Sequence, residues 1–435
     1  MALLSPNAAD RPWTVADLGE QGLLQRLQAY CPPGVVGDDG ALLQPSPGQA
    51  LVVTTDALVN GVHFSAATTP PHAAGWRAAA ANLSDLAAMG ALPLGMTVAL
   101  ALPGETALDW VEGFYQGLRD CCQRYGTAIV GGDLCRSPQL VVSITALGEV
   151  PPSLAWVRSG AQVGDVILAT GLHGASRAGL ELLLNPLNSP PNPPSNLPIT
   201  LPHNPAANPA TNPATNPAAN PAPALPPPTA AQRSAWIHAH QYPQPRLGWV
   251  PLLRQVQQDL ALDRPLAAMD SSDGLADAVL QLCRASGVGA ELYQEQLPQP
   301  PGLGTWRGAA QALEWTLYGG EDFELVLCVP PLVWDRLQHL APAARFDPAQ
   351  PDRPQPDRPQ PDRDPADRPQ PDRPQPDRPP SNPDPDRTAA PQPLSLYPLG
   401  RIVAASAGKS TVTLHDRPNL PPTAHLSIDR GFQHF

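Results

Sequence analysis

Long apolar stretches are absent from this chain. Nowhere do about 18 apolar residues run together, the minimum for a membrane-spanning helix. The first residues also lack the basic region and the apolar core of a secretory signal peptide. The sequence therefore predicts a protein with no membrane partner and no export signal.

Positive charge is scarce as well. Lys and Arg total 27 against 39 Asp and Glu, which gives a formal net charge of -12. A surface this acidic argues against nucleic acid or an anionic membrane as the main partner. If the ligand carries phosphate, positive charge has to come from elsewhere, and a divalent metal ion is the simplest source.

The six cysteines contain no Cys-x-x-Cys pair. Cys121 and Cys122 are adjacent, an arrangement that suits neither a disulfide nor a zinc site. Free thiols of this kind are typical of a reducing compartment, so we expect a cytoplasmic protein.

Proline, in contrast, is abundant. Most of the 60 prolines lie in two stretches at about 185–230 and 342–393. Because proline removes backbone donors, these stretches are predicted to be disordered insertions. The rest, about 340 residues, suits two compact domains, which we expect at 1–150 and 151–435, with Pro151-Pro152 at the boundary.

Strand and helix patterns alternate outside the proline-rich stretches, which indicates an α/β fold. Three predicted elements lie beside acidic residues: a strand over 51–56, an Ala-rich helix over about 72–89, and a short strand over 128–130 that ends at Gly131-Gly132-Asp133.

Seven short segments place an acidic residue beside Gly, Ser or Thr. They are Gly37-Asp38-Asp39, Thr54-Thr55-Asp56, Asn82-Leu83-Ser84-Asp85, Gly131-Gly132-Asp133, Gly164-Asp165, Asp270-Ser271-Ser272-Asp273-Gly274 and Gly319-Gly320-Glu321-Asp322. Magnesium prefers hard oxygen ligands and keeps waters while it also binds substrate phosphates. One or two carboxylates per ion, spread over several loops, would meet that need.

Each segment alone is equally well explained as a turn or a helix cap. Gly-Asp is a common turn, and Ser272 or Asp273 would cap a helix that begins at Leu275. Asp38 and Asp322 are equally explained as turn residues, and Gly164-Asp165 is better explained so.

Asp85 is harder to explain as a structural residue. It falls near the C-terminal end of an apolar helix, where the helix dipole disfavours a carboxylate. Its neighbours Leu83, Leu86 and Met89 predict a largely buried setting. A nearby cation would offset both costs, so Asp85 is predicted to be a metal ligand.

A second type of phosphate site is excluded. Gly408-Lys409-Ser410 matches the end of a P-loop, but Val403 occupies the position of the required first glycine. We interpret this segment as a surface turn.

Basic residues near the acidic segments are few. Arg136 and Arg158 could each contact a phosphate, although an exposed loop arginine is an equal explanation for Arg136. His63 could contact a substrate, although a single histidine is more often structural.

Taken in order, these segments resemble the thiamine-monophosphate kinase family, within the superfamily of aminoimidazole ribonucleotide synthetase and selenophosphate synthetase. The segments that carry the resemblance are 37–41, 55–64, 82–91, 131–133, 270–275, 319–325 and the terminal Gly431-Phe432-Gln433-His434-Phe435. The most specific are 82–91 and 319–325.

The resemblance implies an ATP-dependent kinase that converts thiamine monophosphate to thiamine diphosphate, with several Mg²⁺ ions. It implies a two-domain α/β (α+β) fold of the aminoimidazole ribonucleotide synthetase type, in a homodimer. The N-terminal mixed sheets of two subunits would meet in a barrel, and the C-terminal domain would be an α/β sandwich that carries the two proline-rich insertions.

The resemblance also implies roles for individual residues. The implied magnesium ligands are Asp39, Thr54, Thr55, Asp56, Asp85, Asp133, Asp270 and Asp273. The implied ATP contacts are Tyr115, Gly132, Asp133, Arg158 and Ser272, and the implied contacts to the thiamine substrate are His63, Glu321 and Phe432.

Two departures from the family pattern bear on substrate positioning. Tyr242 stands where the family usually has the first Arg of Arg-Pro-x-Pro-Arg, and the C-terminal ending differs from the usual Gly-Tyr-Asp-His-Phe.

Two alternatives remain open. One is another ATP-using superfamily member such as a selenophosphate synthetase, although Cys31 lacks the Gly-rich context of that enzyme's reactive residue. The other is a non-catalytic scaffold, although loss of several acidic residues would be expected of one.

Overall fold

A computed structural model describes residues 11–185, 225–340, 395–406 and 408–427. The first half contains helix α1 (Val15–Leu27), strand β1 (Ala50–Val59), helix α2 (Pro71–Ala88), strand β2 (Leu92–Leu102), helix α3 (Leu108–Arg124) and strands β3 (Ile129–Arg136) and β4 (Val141–Val150). The four strands form one mixed sheet in the order β1-β4-β2-β3. The β2–β3 pair is parallel, and β4 is antiparallel to β1 and β2.

The second half begins with β5 (Val166–Thr170), α4 (Ala175–Leu184), α5 (Ala230–Gln241), α6 (Trp249–Asp259), β6 (Ala267–Asp270), α7 (Leu275–Ser286) and β7 (Gly289–Tyr293). It continues with α8 (Leu303–Arg307), α9 (Ala309–Tyr318), β8 (Leu325–Val329), α10 (Pro331–Leu340), β9 (Leu396–Val403), β10 (Val412–His415) and β11 (Pro422–His425). Its strands form a second sheet in the order β11-β10-β7-β9-β5-β8-β6. The predicted α/β class with an N-terminal mixed sheet is therefore confirmed.

Helix α2 is the central element of the first half. Most of its 18 residues are buried, because small alanines let it lie close to α3 and to the sheet. At Gly75 a Cβ would come within 1.9 Å of the Phe114 carbonyl oxygen, so glycine is required where α2 meets α3. This close packing holds the polar side chains of α2 in fixed positions.

The core continues across the predicted boundary at 150/151. One buried apolar cluster joins α2 residues such as Leu83 to Leu253 of α6 and Leu325 of β8. Trp156, fully buried, donates a hydrogen bond to Gln257 Oε1 at 2.7 Å. The two halves are thus packed together, and the assignment of separate domains at 1–150 and 151–435 stays a prediction.

Several elements differ from expectation. Strand β3 continues to Arg136, so Gly131-Gly132-Asp133 lies within a strand and not in a loop after it. Helices α5, α8, α9 and α10 and strand β11 were not predicted. Helix α5 has a capping box formed by Thr229 and Gln232, a signal that was present in the sequence. The proline-rich stretches lie almost wholly outside the described residues.

A buried ion pair lies next to the start of β8. The guanidinium of Arg246 donates two hydrogen bonds to the carboxylate of Glu324, whose side chain is only 4% exposed. The hydroxyl of Thr170 donates to the same carboxylate at 2.7 Å. The loop before β8 therefore contacts the segment before α6 and strand β5.

Replacing Arg246 by Met should destabilise the protein by about 3–5 kcal/mol, because it leaves a buried carboxylate unpaired. The matched control is Arg401→Met, which removes a more exposed pair with Glu291 and should cost less than about 1 kcal/mol. Urea unfolding of both variants gives the comparison, and equal losses would contradict this account of Arg246.

Candidate active site

A cavity of about 580 Å³ lies between the two halves. Its wall consists of β1 and the segment after it, one face of α2, the loop after β6 and the loop before β8. Two of the three predicted acidic segments of the second half, 270–274 and 319–322, therefore reach the same space as Asp56 and Asp85 of the first half.

Helix α2 lines the cavity along its length. Arg77, Ala81 and Asp85 all contribute to the wall, and residues four apart share one helix face. Arg77 and Asp85 are separated by eight residues, about 12 Å along the axis. The cavity therefore has two ends with different chemistry.

One end, the acidic end, consists of Asp56, Asp85, Asp270 and Asp273. Asp85 accepts a hydrogen bond from the Thr54 hydroxyl. Asp270 accepts from Ser84 Oγ at 2.9 Å and from Ser272 Oγ at 3.1 Å. These hydroxyl groups fix the carboxylates in place and add oxygen atoms to the site.

Burial and mutual repulsion raise the carboxylate pKa values at the acidic end. Burial, with the charges of Asp85 and Asp273, raises the pKa of Asp56 to about 6. Burial, with the charge of Asp85, raises the pKa of Asp270 to about 7. The pKa of Asp85 is raised by burial, an effect opposed by Thr54 and the charge of Arg158. A bound cation would relieve this repulsion.

The acidic end fits magnesium by its donor atoms. Within the part of the chain that the structure describes, no three His, Cys, Asp or Glu side chains are arranged to hold one ion. Magnesium is commonly held by one or two carboxylates together with waters and substrate phosphates. The arrangement thus suits ions that arrive with a phosphorylated ligand.

The other end, the far end, is defined by Arg77 and the Glu321 carboxylate that it contacts, and His63 and Phe323 also line the cavity. His63 Nδ1 accepts the backbone N–H of Val59 at 3.0 Å, so a neutral His63 carries its proton on Nε2. Arg77 donates to Glu321 Oε1 at 2.7 Å. Together with Leu58 and Val62, these residues present apolar surface and a few directed polar groups, as is typical of a site for an organic molecule.

Other predicted site residues lie apart from the cavity wall. Asp39 is exposed in the segment before β1. Tyr115 is buried in the core beside Tyr30 and Phe114. Arg158 is exposed and donates to Gln281 Oε1 at 2.8 Å, although its charge acts on Asp85.

Gly132 and Asp133 lie on β3, at the opposite edge of the sheet from β1. Asp133 is in register with Ala57, whereas Asp56 is in register with Gly132. Asp133 and Asp56 therefore point to opposite faces, three strands or about 14 Å apart. The glycine at 132 is explained by packing, because a Cβ there would meet the Val98 carbonyl oxygen at 2.1 Å.

Four further predicted positions remain to be placed. Thr55 reaches the cavity wall, but its hydroxyl contacts the Ile144 carbonyl and Thr145. Ser272 and Asp273 do not cap α7, whose N-cap is Gly274. Phe432 and the rest of the C-terminal motif lie outside the described residues.

Asp322 has a structural role. Its carboxylate accepts the backbone N–H groups of Gly174 at 2.6 Å and Ser176 at 2.9 Å, at the start of α4. Burial raises its pKa to about 7 in spite of these bonds.

Sequence reasoning missed Arg77 and Phe323. Arg77 was detectable, since it is the one charged residue before Asp85 in an Ala-rich helix and lies on the same helical face.

Tyr242, the departure from the family pattern, packs against His72, Trp76 and His238. These contacts place it at the junction between α2 and α5.

The raised pKa of Asp270 predicts how stability depends on pH. The pKa of Asp270 is about 7 in the folded protein, above its value in the unfolded chain. The folded state therefore holds this proton more tightly, and the stability gained from it is lost as the pH rises through the folded-state pKa. Without magnesium, the wild-type melting temperature should therefore fall relative to that of Asp270→Asn between about pH 4 and pH 7. Thermal melts in chelator test this, and parallel pH curves would contradict it.

Comparisons with known proteins identify the family of this chain. Residues 37–150 match the family model "AIR synthase related protein, N-terminal domain". A Synechococcus elongatus protein named thiamine-monophosphate kinase is 49% identical over 318 residues, which is 73% of this chain and 84% of that one. No helix in the described ranges is long and apolar enough to cross a membrane.

Two solved structures share the fold. The thiamine-monophosphate kinase of Stenotrophomonas maltophilia has a TM-score of 0.61 at 28% identity, covering 91% of this chain and 96% of its own. A structure described as AaThiL complexed with AMPPCP and TMP has a TM-score of 0.56 at 24% identity, covering 96% and 98%. The 49% identity to the Synechococcus elongatus protein shows that the chain belongs to the thiamine-monophosphate kinase family.

Proposed function

We propose that this protein is an ATP-dependent kinase that converts thiamine monophosphate to thiamine diphosphate, with several magnesium ions at the acidic end. The observation that carries the proposal is one cavity whose wall combines four aspartates with His63, Glu321 and Phe323. The activity is the one in the names of its relatives.

The two ends of the cavity suit the two parts of the acceptor. The organic part of thiamine monophosphate would lie at the far end, and its phosphate would point along α2 toward Asp85. The separation of about 12 Å along the helix gives room for an extended molecule. Ser272 and Arg158 would then contact ATP from the loop after β6 and from the start of the second half.

The reaction joins an oxygen of the acceptor phosphate to the γ-phosphorus of ATP and breaks the bond from that phosphorus to the β–γ bridging oxygen. The acceptor oxygen is already anionic near neutral pH, so no strong general base is required. Magnesium, when bound, would neutralise charge on the phosphates and align the two reactants in line. The ions would be held by Asp56, Asp85, Asp270 and Asp273, together with Thr54. Held in this way, they would prevent the two phosphates from meeting out of line.

Some proposed magnesium ligands and ATP contacts lie apart from the cavity wall, namely Asp39, Gly132, Asp133 and Tyr115. Asp133 points to the sheet face opposite Asp56, so its proposed role as ligand requires further residues beside β3. We propose that a second copy of the chain supplies them.

We propose a homodimer formed through the outer face of the first sheet, defined by Leu51, Val53, Thr55, Ala57 and Leu147. Leu51 is 48% exposed and Val53 58% exposed, while the alternate residues of β1 pack toward α2. An apolar sheet face of this kind is typical of an interface, and pairing two such sheets would give the expected barrel.

The cysteines bear on where the protein is located and on the selenophosphate synthetase alternative. All six are free of disulfides, which supports a cytoplasmic enzyme. Burial raises the pKa of the Cys31 thiol, which disfavours the reactive thiolate that a selenophosphate synthetase would need. A scaffold would have no need for four aspartates in one cavity.

Asp56→Asn should lower turnover by more than about a hundredfold, because it removes a proposed ligand. The fold should remain intact, since Asp56 is a buried repelling charge. ADP and thiamine diphosphate formation is measured for this variant and for the control Asp109→Asn on the exposed side of α3. Full activity of Asp56→Asn would refute the assignment of the acidic end.

Val53→Asp should dissociate the proposed dimer, because it places a charge in the apolar interface. Light scattering coupled to size exclusion measures the mass of this variant and of Val163→Asp, an equally exposed valine outside the first sheet. A wild-type monomer, or equal effects of the two substitutions, would contradict the proposed interface.

A further inference from the structure

We propose that Arg77 is a positioning residue that fixes the carboxylate of Glu321 toward the thiamine substrate. The inference rests on the proposed function in one respect, namely that the far end of the cavity holds the organic part of that substrate. Arg77 itself would act through Glu321.

Arg77 connects three elements. It lies on α2 and its residue is only 2% exposed. One guanidinium nitrogen donates to Glu321 Oε1 at 2.7 Å, and another donates to the backbone carbonyl of His240 at the end of α5. The position of Arg77 is therefore fixed by backbone of the second half as well as by its own helix.

Glu321 has a fixed backbone and a side chain that reaches into the cavity. Its φ is 57°, a left-handed conformation that is uncommon for a residue other than glycine. Its N–H donates to the Ser272 carbonyl at 2.6 Å. Its side chain is 20% exposed, so the contact with Arg77 sets the direction in which the carboxylate points.

His240 does not compete with Arg77 as the cation beside Glu321. Its Nδ1 lies 3.9 Å from Glu321 Oε2, but burial, followed by the charges of Arg77 and Arg177, lowers the pKa of His240 well below its usual value. A neutral imidazole next to an arginine leaves Arg77 as the charged partner. The Glu321 carboxylate, oriented by Arg77, can accept from an N–H or cationic group of the substrate.

This arrangement separates binding from transfer. Arg77 lies at the far end, about 12 Å along α2 from Asp85. Losing Arg77 should thus weaken binding of the thiamine substrate and leave the acidic end intact. A purely structural arginine would affect both substrates and turnover together.

The test compares Arg77→Met, Arg77→Lys, Glu321→Gln and the double variant Arg77→Met with Glu321→Gln. Arg77→Met should raise KM for thiamine monophosphate by about tenfold to a hundredfold. Both kcat and KM for ATP should stay within about twofold of wild type. Arg77→Lys should recover part of the loss, since it keeps the charge but not the planar fork.

The double variant gives the sharpest comparison. If Arg77 acts through Glu321, the double variant should bind thiamine monophosphate no more weakly than Glu321→Gln alone. Additive losses, or a matching loss in kcat and in KM for ATP, would overturn the proposal. Should Arg77→Met fail to fold, Arg77→Lys paired with Glu321→Gln provides the same cycle.

Calorimetric binding of thiamine monophosphate separates this proposal from the proposed function. A wild-type protein that binds the compound and forms no product would contradict the kinase assignment, while the Arg77 comparison would still be decided by affinity. A wild-type protein that does not bind it would contradict both.

Discussion

The repulsion among buried carboxylates is the constraint on which the site depends. Asp56, Asp85 and Asp270 come from three elements and meet in one cavity, where burial and mutual charge raise their pKa values. Such a cluster costs stability when ionised. A bound cation would offset this loss of stability. The hydroxyl groups of Thr54, Ser84 and Ser272, which donate to the carboxylates, offset only part of it.

Helix α2 positions the side chains at both ends of the cavity. Its alanines allow close packing on α3 and the first sheet, while Arg77 and Ser84 contact the second half. Ser84 bonds to Asp270, and Arg77 bonds to Glu321. The same helix thus positions both ends of the cavity, so that the distance between them is set by the helical rise. The buried Arg246–Glu324 pair then secures the loop that carries Glu321.

Much of this was predictable from the sequence, for identifiable reasons. Asp85 was detectable because a carboxylate near the end of an apolar helix conflicts with its surroundings, and the α/β alternation followed from periodicity. The face on which Asp133 lies was not predictable, because it depends on the register of β3 and on that strand continuing through two glycines. The partnership of Arg77 with Glu321 was equally hidden, since those residues are far apart in the chain. Asp322 was equally consistent with a turn and a ligand until its bonds to Gly174 and Ser176 showed a helix cap.

The central claim is that the cavity brings a phosphate acceptor to the γ-phosphoryl group of ATP. Its most direct test uses ATP labelled in the γ-phosphate, with magnesium and thiamine monophosphate, followed by separation of the products. The account predicts that the label appears in thiamine diphosphate in equal amount to the ADP formed. Label found only in inorganic phosphate, or AMP as the nucleotide product, would contradict it.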